Sequence, residues 1–436
     1  MATDRDSPQY KVQEYKTQYT IIHIDGLKGH RDRPQYKVQE NWSDTSFWEA
    51  SALNNYTVPK AGSTVIIPAG MWILADVVIP PLNKLIIYGA LELSDTISTG
   101  RADRSFSPYP TVVLNATYIS IQGGRLIAGT EDSPFRGELQ IILRGNHYTP
   151  EWPLPNGPNQ GSKVLGVFGD LDLHGLPHTV YKTKLRSTAV AGSTSVSLVN
   201  PVDWKVGDDV LITTTSYSSW QSEVRTIANI SGDGLHLVLN ESLSYTHIAA
   251  TYQVPETGQN YTLAADVGLL TRNIKIIGED YPQLIEESFG ARVLVSTFQY
   301  KGVQLRGAAR IRNVEFYHTG QEGYRDSFDP RYSLAFLNLG QTSQNESYVQ
   351  GCSFHHGFSP AIGVFGTNGL DIDDNIIYFT VGEGIIISGS ENRARGNLVV
   401  LAVWPGTYNG RLETFNPLWH AAIMESTVPR THTSTC

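Results

Sequence analysis

Short strand-like segments recur in the C-terminal third of this chain at an almost constant spacing, and that spacing limits the fold more than any other feature. Gly351-Cys-Ser-Phe354 aligns with Asp374-Asn-Ile-Ile377 at an offset of 23 residues, and then with Gly396-Asn-Leu-Val399 at 22. Ala361-Ile-Gly-Val364 aligns with Gly384-Ile-Ile-Ile387, again at 23. Asn313-Val-Glu-Phe316 fits the same template after a longer loop. A period near 22 residues is too long for a hexapeptide β-helix. It suits a right-handed parallel β-helix with three strands per coil. Leucine-rich repeats share the period, but their ladder of Leu and Asn is absent.

Upstream, the grammar is also that of strands and turns. Val167-Phe-Gly-Asp-Leu-Asp-Leu-His-Gly-Leu-Pro-His178 alternates apolar and polar residues and stops at Gly and Pro. Asp203-Trp-Lys-Val-Gly-Asp-Asp-Val-Leu-Ile-Thr-Thr-Thr215 and Asp266-Val-Gly-Leu-Leu-Thr-Arg-Asn-Ile-Lys-Ile-Ile-Gly278 behave alike. Forty glycines and 22 prolines fit short strands joined by tight turns. No long amphipathic helical pattern occurs.

These three segments occur in this order in the fibrocystin-like proteins and in the hyaluronan-binding, cell-migration-inducing proteins, and the chain resembles that family from about Asn41 to Ile423. Residues 41–165 resemble its G8-type domain. They carry Trp42-Ser, Phe47-Trp48, Ala61-Gly-Ser-Thr-Val-Ile-Ile-Pro-Ala-Gly70, Leu85-Ile-Ile-Tyr-Gly-Ala-Leu-Glu-Leu93 and Ile119-Ser-Ile-Gln-Gly-Gly-Arg-Leu-Ile-Ala-Gly129. The resemblance implies parallel β-helix repeats over 291–423, with 166–290 a β-rich connection. The expected fold is therefore all-β, a G8-type domain followed by a right-handed parallel β-helix, together an elongated β-solenoid. The ends differ from the rest. Arg5-Asp-Ser-Pro-Gln-Tyr-Lys-Val-Gln-Glu14 recurs as Arg31-Asp-Arg-Pro-Gln-Tyr-Lys-Val-Gln-Glu40 with one change, so residues 1–40 form an atypical segment. Residues 424–436 form a polar, divergent tail.

Charge and cysteine content exclude several classes. A net charge of −9 argues against a nucleic-acid footprint and against anionic lipid. Cys352 and Cys436 are too few for a disulfide framework, and Cys352 reads as a small buried hydrophobe. No CxxC or HExxH spacing marks a zinc site, and no cofactor is implied. No segment reaches the roughly 18 to 20 apolar residues of a membrane span. The N-terminus lacks an apolar signal core. Seven Asn-x-Ser/Thr acceptors, at Asn41, Asn55, Asn115, Asn229, Asn240, Asn260 and Asn345, nevertheless suit surface loops of a secreted chain. The expectation is a piece of an extracellular or cell-surface parent.

Three constellations could carry chemistry. Alternation puts Asp170, Asp172 and His174 on one strand face, with His178 just beyond, a set that could do acid–base work on a glycan. The 22-residue coil puts Arg393 one rung from Asp371, and Arg395 one rung from Asp373, with Ile372 and Ala394 pointing inward. His318 and His356 fall in one column beside His355, where stacked imidazoles could bind metal or sense pH. Seven of the eight tryptophans, from Trp42 to Trp404, form no regular stripe that would mark a sugar platform. The leading expectation is a non-enzymatic solenoid presenting a binding or structural surface to an extracellular protein or glycan. The alternative implied by the resemblance is hyaluronan binding or depolymerisation, against which the acidic balance weighs, because that polyanion wants a basic groove.

Overall fold

A computed structural model describes residues 38–96, 111–322, 331–403 and 423–425. The first copy of the ten-residue repeat, the chain end and Cys436 lie outside them. Of the described residues, 51% are strand and 5% helix. Most strands belong to one parallel, coiled sheet.

Each coil lays one strand on each of three faces. On the first face, Val38–Asn41, Met71–Ala75, Ala90–Leu93, 125–128, 170–174, Ala308–Arg312, Tyr348–Gln350, Asp371–Asp373 and Arg393–Arg395 pair in parallel, in that order. On the second, Thr64–Ile67, Leu82–Ile87, 116–121, 164–167, Arg292–Val295, Leu334–Gln341, Ile362–Asn368, Ile385–Ser388 and Ile423–Glu425 stack alike. The third runs from 111–116 through Glu138–Leu143, Ile274–Gly278, Val314–Tyr317, Ser353–Gly357 and Ile376–Val381 to Leu398–Val403. Among the described residues, parallel pairing thus links rungs from Val38–Asn41 to Ile423–Glu425, through the regions read as G8-type domain and β-helix. The offsets of 22 and 23 appear as direct partners, such as Asp371 with Arg393 and Phe354 with Ile377.

The side-chain period of two builds the interior. Leu85, Ile119, Leu165, Val293, Leu334, Ile362 and Ile385 point inward from the second face, and Leu126, Leu171, Leu173, Ile311, Val349 and Ile372 from the first. Phe316 and Phe354 stack between consecutive coils with ring centroids 4.2 Å apart. Cys352 is fully buried in this core, which pushes its thiol up to about 11. Between the second and first faces the chain turns at Gly124 and, one coil on, at Gly169. A Cβ on Gly169 would stand 2.3 Å from the Gly124 carbonyl oxygen, so no side chain fits the corner.

One region leaves the stack. Between Gly175 and Asn273 the chain builds a separate antiparallel sheet of Lys182–Lys184, Ser195–Ser197, Asp209–Ile212, Glu223–Ile230, His236–Leu239 and Asp266–Leu269. It has its own core, with Leu198, Trp204, Val210, Ile212, Leu237 and Val267. Leu211 and Leu270 dock it on Ile376, Tyr378, Val381 and Leu401 of the third face. Asn273 clasps the base. Its side chain accepts from the Leu176 backbone N–H at 2.8 Å and donates to the carbonyls of Phe135 and Gly137 at 2.7 Å each. The stretch expected as a β-rich connection thus holds one rung of the first face, this lateral domain and one rung of the third.

Candidate functional site

The polar cluster forms on the outside of the first face. Leu171 and Leu173 point into the core, which turns Asp170, Asp172 and His174 outward. The rungs on either side supply what local sequence does not show. Arg310 stands opposite Asp172 in register, and Arg125 opposite Asp170 one coil earlier. Arg310 donates from Nε to Asp172 Oδ1 at 2.5 Å and from Nη2 to Asp170 Oδ1 at 2.7 Å. Arg125 Nε reaches the other Asp172 oxygen at 2.5 Å. The Asp172 side chain is 3% exposed, against 41% for Asp170.

Burial alone would raise the pKa of Asp172, but Arg310 and Arg125 outweigh it and hold the carboxyl below its ordinary value. The same carboxylates, against the pull of burial, hold Arg310 charged. Asp172 is therefore an anion locked between two cations, the opposite of a general acid that must keep its proton.

His174 is buried beside this clamp. Its Nε2 shares a hydrogen bond of 2.9 Å with the Tyr348 hydroxyl, and its Nδ1 is enclosed. Burial, with Arg310 acting in the same sense, lowers its pKa and keeps the ring neutral. Burial pushes the Tyr348 hydroxyl up to about 12.

His178 does not join the other three candidates. Beyond the corner at Gly175 it turns to the lateral domain, where Nδ1 pairs with Asp203 at 3.2 Å. Burial, with Arg272 adding to it, lowers its pKa despite Asp203.

The second constellation is a ladder on the same face. Arg393 grips Asp371 through Nε and Nη2 at 2.5 and 2.7 Å, and Arg395 grips Asp373 at 3.0 and 2.6 Å. Ile372 lies in the core and Ala394 packs against it. Both arginine side chains are more than half exposed.

The third constellation lies outside the third face. His318 and His356 share a column, with ring centroids 6.5 Å apart and both residues at left-handed φ. His355 Nδ1 lies 3.0 Å from His356 Nδ1, and its Nε2 lies 3.3 Å from Glu315. Burial, then the neighbouring imidazoles, pushes His356 down to about 3. Among the described residues no group of three or more His, Cys, Asp or Glu side chains has the geometry of a metal site.

Six of the seven glycosylation acceptors, all but Asn115, are exposed. Asn115 sits inside the strand Thr111–Ala128, half-buried, with its Oδ1 enclosed and unpartnered.

A stack of parallel coils with a side domain and an outer ladder of Asp and Arg defines the class, a G8-plus-β-helix protein. Residues 48–186 match the G8 domain and residues 297–427 the CEMIP beta-helix. The chain belongs to the fibrocystin-like family. It is 63% identical over 383 residues to Fibrocystin-L of Homo sapiens, covering 88% of this chain and 9% of that protein. Fibrocystin of Canis lupus familiaris is 30% identical over 83% of this chain and 8% of its own length. A G8 domain-containing protein of Dictyostelium discoideum is 27% identical over 78% of this chain and 21% of its own. The chain thus spans about a tenth of the first of these relatives. Among solved structures, the tailspike gp61 of Pseudomonas phage phi297 aligns over 65% of this chain and 40% of its own at 11% identity, with a TM-score of 0.21 that adds nothing to the fold read from the strand pairing.

Proposed function

We propose that this chain is a non-enzymatic solenoid segment of a large extracellular or cell-surface glycoprotein, serving to present a binding or structural surface. The observation that carries this reading is the committed state of Asp170 and Asp172. Both carboxylates that could act as an acid–base pair are neutralised by Arg310, and Asp172 by Arg125 as well. A glycosidase of the two-carboxylate kind needs one of them to hold a proton near neutral pH. The exposure of Asn41, Asn55, Asn229, Asn240, Asn260 and Asn345 supports passage through a secretory route. No helix among the described residues is long and apolar enough to cross a membrane.

The alternative, a chain that binds or cleaves hyaluronan, draws support from the match to the CEMIP beta-helix. The experiment that separates the two is incubation of the purified chain with hyaluronan of defined length. The expected result is an unchanged elution profile. Conversion to short oligosaccharides, abolished by His174→Ala, would overturn the non-enzymatic reading.

A further inference from the structure

On the outside of the second face, a different face from that of the Asp–Arg clamp, an aromatic cleft of about 340 Å³ opens between two loops. One wall is the strand end at Ile86 and Tyr88, the other the segment Trp152–Asn156, and the lip is the hairpin Thr297–Tyr300 with Val303–Arg306. It is built rather than accidental. Phe298 forms the floor, edge-on to Phe168 at 5.0 Å. A Cβ on Gly157 would stand 2.5 Å from the Phe298 Cβ, so the loop lies hard against the hairpin. The Gln299 backbone N–H also donates to the Asn156 carbonyl at 3.3 Å.

Three features mark the ligand. First, half-buried rings line the cleft. Tyr88 and Tyr300 stand 5.9 Å apart with planes 33° from parallel. Trp152 is steadied by Lys84, whose Nζ lies 4.4 Å from its ring centre, and by an edge contact with Tyr118 at 5.6 Å. Second, amide side chains interrupt the aromatics. Gln122 and Gln299 reach the lining, as does Asn156. Gln122 is held by donating to Ser120 Oγ at 3.1 Å. Third, the charge is one-sided in a chain of net −9. Lys301 is the charged side chain among the lining residues, which include no carboxylate. Lys301-Gly302 makes a two-residue turn with both φ positive, at 48° and 82°, which fixes the lysine at the lip. Its Nζ stands 5.3 Å from the Tyr300 ring centre.

Rings that accept the C–H face of a pyranose, amides that pair with hydroxyls, and one cation beside an aromatic are the elements of a sugar site with a carboxylate. We propose that this cleft binds a terminal acidic sugar of a glycan, its ring against Tyr300 and Trp152 and its carboxylate at Lys301. The volume suits one or two sugar units, not a polymer laid along the solenoid. This goes beyond the presentation role above and stands on the cleft alone. A larger hollow of about 440 Å³ beside Arg144 and Glu279 has no aromatic lining and lacks this chemistry.

The test is calorimetric titration of the whole chain with 3′-sialyllactose, with a glucuronic-acid-terminated disaccharide, and with lactose. One or both acidic probes should bind and lactose should bind more weakly, with the stronger acidic probe naming the sugar. Tyr300→Ala should weaken binding roughly two- to tenfold. Lys301→Asn keeps a residue that tolerates the left-handed turn, and should cost the acidic probe roughly two- to fivefold while leaving lactose unchanged. Tyr300 and Lys301 lie in a surface hairpin, and an unchanged melting curve for each variant excludes unfolding as the cause. The proposal fails if neither acidic probe binds, if lactose binds as tightly, if Tyr300→Ala has no effect, or if Lys301→Asn leaves the acidic probe unchanged.

Discussion

The first face carries two sets of Asp–Arg pairs with nearly the same bond lengths and different surroundings. At Asp172 the carboxylate is enclosed, gripped from both neighbouring rungs by Arg125 and Arg310. At Asp371 and Asp373 each carboxylate meets an arginine one rung on, and the arginine side chains are 53% and 61% exposed. Water makes the difference. Where it is excluded, an unpaired charge has nowhere to go and removing a partner is severe. Where water reaches both partners, it replaces most of what the pair supplies. Bond length alone therefore says little about which pair the fold depends on.

The comparison can be broken by mutation, starting with the largest effect. Asp172→Ala leaves Arg125 without its carboxylate and Arg310 with Asp170 alone, and should lower unfolding free energy by about 3–5 kcal/mol in a denaturant titration. A loss no larger than that of Asp371→Ala would show the enclosed clamp to be as solvated as the outer ladder.

Acid supplies the next test. Asp172 has a folded pKa below its unfolded value, so its contribution is present above that unfolded value, near 4, and is lost as pH falls through the lower folded one. His356 titrates earlier. Its folded pKa is about 3 against 6.5 for a free imidazole, so the unfolded chain takes up the proton first and stability should fall steadily from pH 6.5 downward. His356→Phe, the residue that Phe379 places at the next coil's corner, should flatten the melting-temperature slope between pH 6.5 and 4 and leave the steeper loss below pH 4 intact.

The smallest effect belongs to the outer ladder. Asp371→Arg sets like charges one rung apart and should destabilise slightly, by less at high salt. The swap Asp371→Arg with Arg393→Asp should recover that loss, and failure to recover would mean that the two residues are not neighbours in solution.

The outer ladder was legible in the sequence because its coils have a constant length. Asp371 and Arg393 are 22 residues apart, and the alternation about Ile372 and Ala394 sets their side. The inner clamp was half legible. Alternation in Asp170-Leu-Asp-Leu-His174 gives the shared face, but Arg125 and Arg310 lie 47 and 138 residues away from Asp172, and the lateral domain interrupts the period between them. His178 was grouped by nearness in sequence, and the corner at Gly175 takes it elsewhere. The aromatic cleft gave no local signal, since Tyr88, Trp152 and Tyr300 come from three separated segments. The earlier coils vary in length, so no fixed period announces the rung at Val38–Asn41, most of which falls in the segment read as atypical.

The Asn273 clasp has a consequence for how such a molecule changes over generations. Because the chain departs at Leu176 and returns at Asn273 across one 2.8 Å hydrogen bond, everything between is grammatically a parenthesis. Loops inside it that stand clear of the docking residues Leu211 and Leu270 can be lengthened, shortened or rewritten without shifting the register of any coil above or below. The parts most exposed to selection for new surfaces are thereby uncoupled from the part that must keep count.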